Sequence, residues 1–212
     1  MSFGQTPKGR SKQLGLGSVL FGLLVLSFSS FAAPPGDLSE LMAQLAKVRS
    51  VSARYTETIQ ISLLEHGIES TGTIRYVAPD TLIESLDGEP SREIRIQGDR
   101  VRISEADETR EIDVGEHRAI ESMVAALRSV FTGNLVELER HFHVRFERLG
   151  PGKVGDGWHL TLIPDDAEVA WLFSRIEILG SGREIHRIEI REPNGDSRTM
   201  RFEHQEIDSP DG

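Results

Sequence analysis

The chain has 212 residues, no cysteine, 38% hydrophobic residues and 6% aromatic ones. That is an ordinary globular composition, too short for more than one or two domains, and it rules out disulfides, thiol nucleophiles and thiolate metal sites. A formal net charge of −10 repels phosphates and anionic lipid surfaces, so nucleic acid is a poor partner.

The first 32 residues differ from the rest. Lys8, Arg10 and Lys12 precede an uncharged, mostly apolar run from Leu14 to Phe31, and Ser30-Phe31-Ala32 puts small residues at the two positions a signal peptidase reads. This predicts a secretory signal peptide over residues 1–32, cleaved after Ala32. The alternative is an uncleaved anchor, which Gly15, Gly17, Gly22 and several serines weaken as a permanent span. In both cases the basic flank stays inside and the remainder is exported. Loss of the leader takes the formal charge from −10 to −13 and leaves a mature domain over residues 33–212. No cysteine follows the apolar run, so the protein is not expected to be a conventional lipoprotein itself.

Asp37, with Glu40 three residues on, predicts a capped helix. Leu38, Leu41, Met42, Leu45 and Val48 recur along it at helical spacing, and Lys47 and Arg49 stand where a helix end favours cations. From Val51 the period changes to two: Val51, Ala53, Tyr55, Ile59, Ile61 and Leu63 share one strand face, which Glu57 interrupts. After a turn at His66-Gly67 comes "GTIRYVAP", Gly72 to Pro79, with Ile74 and Tyr76 pointing the same way. Strands follow at Thr81–Leu86, Arg92–Ile96, Val101–Ser104 and near Glu111–Val114, joined by turn-sized gaps that signal an antiparallel meander.

The middle is helical. Ile120, Met123, Val124, Leu127 and Val130 fit one helix face that ends near Thr132-Gly133. Asn134 with Glu137 caps a shorter helix bearing Leu135 and Leu138, with Phe142 as a third apolar residue. Five strands then close the chain, around Val144–Phe146, Trp158–Leu162, Ile176–Ile178, Ile188–Ile190 and Met200–Phe202, with Asn194-Gly195 as a hairpin turn. About eleven antiparallel strands around so few helices predict a mainly β, α+β fold. Its centre is one strongly curved sheet, nearly closed, with the helices against its concave side.

No cluster predicts catalysis. "GPGKVG", Gly150 to Gly155, matches a dinucleotide-binding string, but a strand follows it where the mechanism needs a helix N-terminus, so it reads as a hairpin loop. His141, His143, His159 and His186 do not have the spacing of converging metal ligands, and Asp165-Asp166 reads as a turn with a helix cap. No metal and no cofactor are expected. Glu57 is the anomaly, since a buried unpaired carboxylate costs several kcal/mol. It either pairs with an arginine, sits at a cavity mouth, or lies beyond the buried part of its strand, and the last is the leading reading.

The order of these elements, with "ARYTETI", "GTIRYVAPD" and "IQGDRVRI", resembles the LolA-like family of periplasmic outer-membrane lipoprotein carriers. Tyr55-Thr56-Glu57 occupies the place of the family's aromatic-x-Gln/Glu element. Gly72, Ile74, Tyr76 and Pro79 satisfy its second-strand pattern, and Gly98-Asp99 matches its following turn. The resemblance implies an incomplete β-barrel with a helical lid over an apolar cavity. The cavity and lid would be lined by Tyr55, Ile59, Ile61, Ile74, Tyr76, Leu82, Met123, Leu127, Val130 and Phe131. It implies a non-catalytic, monomeric periplasmic carrier of acyl chains that shuttles lipoproteins or other lipids between an inner-membrane donor and an outer-membrane acceptor. Family members commonly carry arginine directly before the proline, linked to lid movement; Ala78 stands there, which marks a divergent branch. The alternative is an envelope regulatory or scaffold module that binds a protein partner on the same fold.

Overall fold

The computed structural model describes residues 36–150 and 157–208, without the side chains of residues 118, 119, 123, 126–128 and 131. The predicted leader and most of the Gly150–Gly155 string lie outside the described residues. In chain order the elements are α1 (Leu38–Leu45), β1 (Ser50–Gln60), β2 (Ile68–Val77), β3 (Thr81–Leu86), β4 (Arg92–Gln97), β5 (Arg100–Glu105) and β6 (Glu108–Asp113). A 3-10 turn (Val114–Glu116), α2 (Arg118–Thr132) and α3 (Leu135–Glu139) come next. The chain then runs through β7 (Phe142–Arg148), β8 (Gly157–Pro164), α4 (Ala167–Ala170), β9 (Arg175–Ser181), β10 (Glu184–Arg191) and β11 (Ser197–Asp208).

All eleven strands form one antiparallel sheet in the order β6-β5-β4-β3-β2-β1-β11-β10-β9-β8-β7. Each half is a meander of neighbours in sequence, and the first and last strands join the halves at the centre. β6 and β7 do not pair, so the barrel is not closed. The segment that carries α2 and α3 links these two free edges.

The period-two pattern decides which face is buried. On β1, Val51, Ala53, Tyr55 and Glu57 are buried, while Ser52 and Arg54 are exposed. Directly opposed residues share a face, so Ile74, Leu82, Ile94, Ile103, Met200, Ile188, Ile178 and Leu160 extend this inner surface across both halves. Leu41, Met42 and Leu45 of α1, Ile120, Val124 and Val130 of α2, Leu138 of α3 and Val169 of α4 join the same core. The helices therefore cover the inner face, and most charged side chains lie on the outer face.

Local chemistry sets the helix boundaries. The Asp37 side chain accepts from Glu40 N at 2.9 Å, and Glu40 Oε2 accepts from Gly36 N at 2.6 Å. α1 ends at Leu45, earlier than the apolar spacing implied, because Arg49 N already bonds Asp208 O across to β11. Lys47 and Arg49 thus lie past the helix rather than in its last turn. Asp166 caps α4 through Glu168 N and Val169 N, as the Asp165-Asp166 reading expected. Phe142 begins β7 and is not on α3, and Leu63 sits 92% exposed beyond the end of β1, off the inner face.

Two glycines make room for aromatic rings on that face. Tyr55 lies over Gly72 of β2, where a Cβ would come within 2.6 Å of the ring and 2.4 Å of Ser85 O. Trp158 lies in the same way over Gly180 of β9, where a Cβ would meet the indole at 2.3 Å, and its Nε1 donates to Gly182 O at 3.0 Å. Gly72→Ala is expected to lower stability by about 1–3 kcal/mol, the usual cost of overpacking, read as a lower urea midpoint. An unchanged midpoint would mean that the ring lifts away freely.

Candidate functional site

The inner face is not uniformly apolar. Where the Tyr55 ring crosses Gly72 it reaches β3, and its hydroxyl donates to Glu84 Oε1 at 2.9 Å. Two residues along β1, Glu57 faces inward beside Ser70 of β2, whose hydroxyl donates to Glu57 Oε2 at 3.2 Å. From β11, Arg198 brings Nε to 3.2 Å of Glu57 Oε1. Glu57 and Glu84 are each 2% exposed and Arg198 is 8% exposed. The expectation that Glu57 lies beyond the buried part of its strand is therefore wrong: it is buried and paired with an arginine. A buried carboxylate is tolerable there because Arg198 stands against it, and removing one partner of a buried ion pair strands the other.

Satisfaction is nevertheless partial. Glu84 Oε2 is buried with no hydrogen-bond partner, and the Arg198–Glu57 contact lacks hydrogen-bond alignment at Oε1. Burial pushes the Glu84 carboxyl up to about 7; the Tyr55 hydrogen bond opposes this, the Glu57 charge adds to it, and Arg198 and Arg92 oppose it. Burial, reinforced by Glu84, also raises the Tyr55 hydroxyl. Tyr76, one turn of the pleat further along β2, donates to Pro79 O at 3.2 Å, and burial next to Asp80 pushes its hydroxyl up to about 12.

Beside this polar row, a cavity of about 670 Å³ opens at the inner face of β4–β6, under the start of α2. Ile103, Ala106 and Ile112 give it an apolar wall, and Arg92, Arg110 and His117 bring nitrogen donors. The β5–β6 turn and edge add Glu105, Asp107, Glu108 and Glu111. Its size falls within the range of small-molecule sites, and its position next to β6 leaves it open at the free edge of the sheet.

Of the residues predicted to line a cavity, Tyr55, Ile74, Tyr76 and Leu82 are buried on the inner face and Val130 is buried on α2. Ile59 is half-buried near the end of β1, and Ile61 is half-buried just beyond it. Met123, Leu127 and Phe131 belong to α2, but their side chains lie outside the described residues. The structure adds Glu84, Arg198 and Arg92, which sequence reasoning missed. A signal was present: Glu84 alternates with Leu82 and Leu86, and Arg198 with Met200 and Phe202, so each charge occupies an apolar slot in the period of two.

The histidines occupy separate places. His141 follows α3 and approaches Glu137 at 3.4 Å, while His143 is exposed on β7. His159 lies between Glu147 and Glu177, and His186 shares a 2.7 Å hydrogen bond with Ser181, its ring held below the usual range by burial. Among the described residues no three His, Asp or Glu side chains gather as a metal site.

Glu84 gives a signed pH dependence. With its carboxyl raised from 4.5 to about 7, the folded state keeps a proton that the unfolded chain releases first. Its contribution to stability is full below pH 4.5 and falls away as pH rises to about 7, a difference of order 3 kcal/mol. Glu84→Gln is expected to remove that slope and to be more stable than the parent at pH 8, measured by urea unfolding at pH 5 and pH 8. A less stable variant at pH 8 would show that the carboxylate is favourably held.

Comparison with known proteins places this geometry. Among curated proteins none matches the sequence. A DUF1329 family protein from Desulfovibrio piger is similar in structure at 10% identity and TM-score 0.45, covering 83% of this chain and 94% of that one. A LolA superfamily protein from Nitrosomonas europaea is similar at 9% identity and TM-score 0.40, covering 85% and 96%. The MucA/MucB complex of Pseudomonas aeruginosa gives 16% identity and TM-score 0.38, covering 82% and 59%. These are distant likenesses. The family model described as "Outer membrane lipoprotein carrier protein LolA-like" matches residues 32–203, most of the chain, and the protein belongs to that LolA-like family.

Proposed function

We propose that this protein is a non-catalytic periplasmic carrier that shelters acyl chains of lipoproteins or other lipids and moves them between the inner and outer membranes. The observation that carries the reading is the cavity of about 670 Å³ beneath the start of α2, open at an unpaired sheet edge. The leader-like residues 1–32 support export, and family membership supports carriage over catalysis.

Burying a methylene gains roughly 0.8 kcal/mol whether the chain enters a bilayer or a protein. A carrier therefore has to match the membrane approximately and release its cargo when offered an acceptor. Partial polarity suits this balance better than a fully apolar pocket would. A lid that packs mainly on other helices, as α2 packs on α1, α3 and α4, can move without breaking the sheet.

Delivery also needs contact with a donor and an acceptor. Five large apolar residues are exposed among the described residues: Leu63, Leu64, Ile68, Val136 and Trp171. The antiparallel order puts them all at one end of the sheet. Leu63, Leu64 and Ile68 are at the β1–β2 tip, Trp171 is in the β8–β9 connection, and Val136 is on α3 just ahead of the Phe142–Pro164 pairing. Asp196 pins that tip to the β10–β11 turn by accepting from Ser62 N and Oγ at 2.8 Å.

Filling the cavity tests the reading. Ile112→Trp, at the one half-buried position of the exposed edge strand β6, is expected to reduce saturable uptake of an apolar fluorescent dye by about fivefold or more, the change that about 1 kcal/mol of lost binding gives, while unfolding stays cooperative. Undiminished uptake in the folded variant would place any acyl site elsewhere.

A further inference from the structure

Arg92 is set apart from the other inward-facing arginines. Arg198 is held by Glu57 and Arg110 pairs with Glu108 at 3.2 Å. Arg92 makes no ion pair or side-chain hydrogen bond among the described residues, and its buried Nε has no partner. Its side chain lines the cavity, and its charge acts on both Glu84 and Tyr55 in the polar row behind. Its Nε is sealed from the cavity, so an incoming ligand meets the terminal guanidinium nitrogens of this half-buried side chain, for which no protein acceptor stands among the described residues; a ligand oxygen placed there supplies one.

The surroundings restrict which oxygen fits. Of the carboxylates at the cavity, Glu111 pairs with Arg102 at 3.2 Å and Glu108 with Arg110 at 3.2 Å, which leaves Glu105 and Asp107 against Arg92, so a phosphate or a free fatty carboxylate would enter a net negative space. A neutral acceptor avoids that repulsion, and hydroxyls beside it can donate to the carboxylates. Resting on the carrier reading above, we propose that the cavity holds the acyl carbonyl and uncharged polar head of a glyceride-type lipid, with Arg92 donating to the carbonyl oxygen and Ile103 and Ile112 bracing the first carbons of the chain. Arg92 is thus the residue that reads where the acyl chain ends.

Displacement of an apolar dye by monooleoylglycerol and by oleyl glyceryl ether, which differ only in the carbonyl, tests this directly. The native protein should bind the ester about tenfold more tightly, the effect expected of a hydrogen bond from a charged donor. Arg92→Met should erase the difference between the two, and Arg92→Lys should restore part of it. Equal affinities for ester and ether in the native protein, an ester preference that survives in Arg92→Met, or tighter binding of lysophosphatidylglycerol than of the glyceride would each overturn the assignment. Dye uptake without ester preference sinks the Arg92 site alone, whereas absence of any saturable dye or lipid uptake sinks the carrier reading with it.

Discussion

An antiparallel sheet of eleven strands that leaves both edges unpaired has more inner surface than its few helices can cover. Among the described residues the longest helix, α2, has 15 residues, and the other α-helices have 8, 5 and 4. Where α1, α2, α3 and α4 meet the central and later strands, side chains interlock into one core. At the edge strand β6 the cover thins, and space remains toward the β5–β6 turn. The cavity therefore follows from the mismatch between a broad curved wall and a short helical cover.

The polar row on the wall belongs to the same economy of space. A ring laid flat over a glycine brings Tyr55 across β2 to Glu84, and the neighbouring slot holds Glu57 against Arg198. Replacing such groups by apolar ones often stabilises a protein, so they lower stability relative to a fully greasy interior. Within the buried wall these groups hold one another through the Tyr55–Glu84 hydrogen bond and the Glu57–Arg198 pair, which limits that cost.

Much of the architecture was legible in the chain. Alternation located all eleven strands, Asp37 and Asn134 marked two helix starts, and Asn194-Gly195 marked the last hairpin, because each of these signals is local. Boundaries drifted where long-range pairing overrode spacing: Arg49 leaves the helical pattern for β11, and Leu63 leaves the strand pattern at the hairpin tip. The ion pair was illegible for a similar reason. Glu57 and Arg198 are far apart in sequence and become neighbours only because the first and last strands pair at the centre of the sheet. Arg92 stood in the same period of two as Ile94 and Ile96, but its lack of a partner is a property of the folded wall.

The most direct test of a lipid-accessible hollow is native mass spectrometry of the protein purified gently from the cell envelope. The account predicts a fraction carrying an additional mass of one acyl lipid, released on mild activation and absent after delipidation. A protein that emerges solely as the bare chain, or bound in fixed ratio to another protein with no lipid, would contradict it.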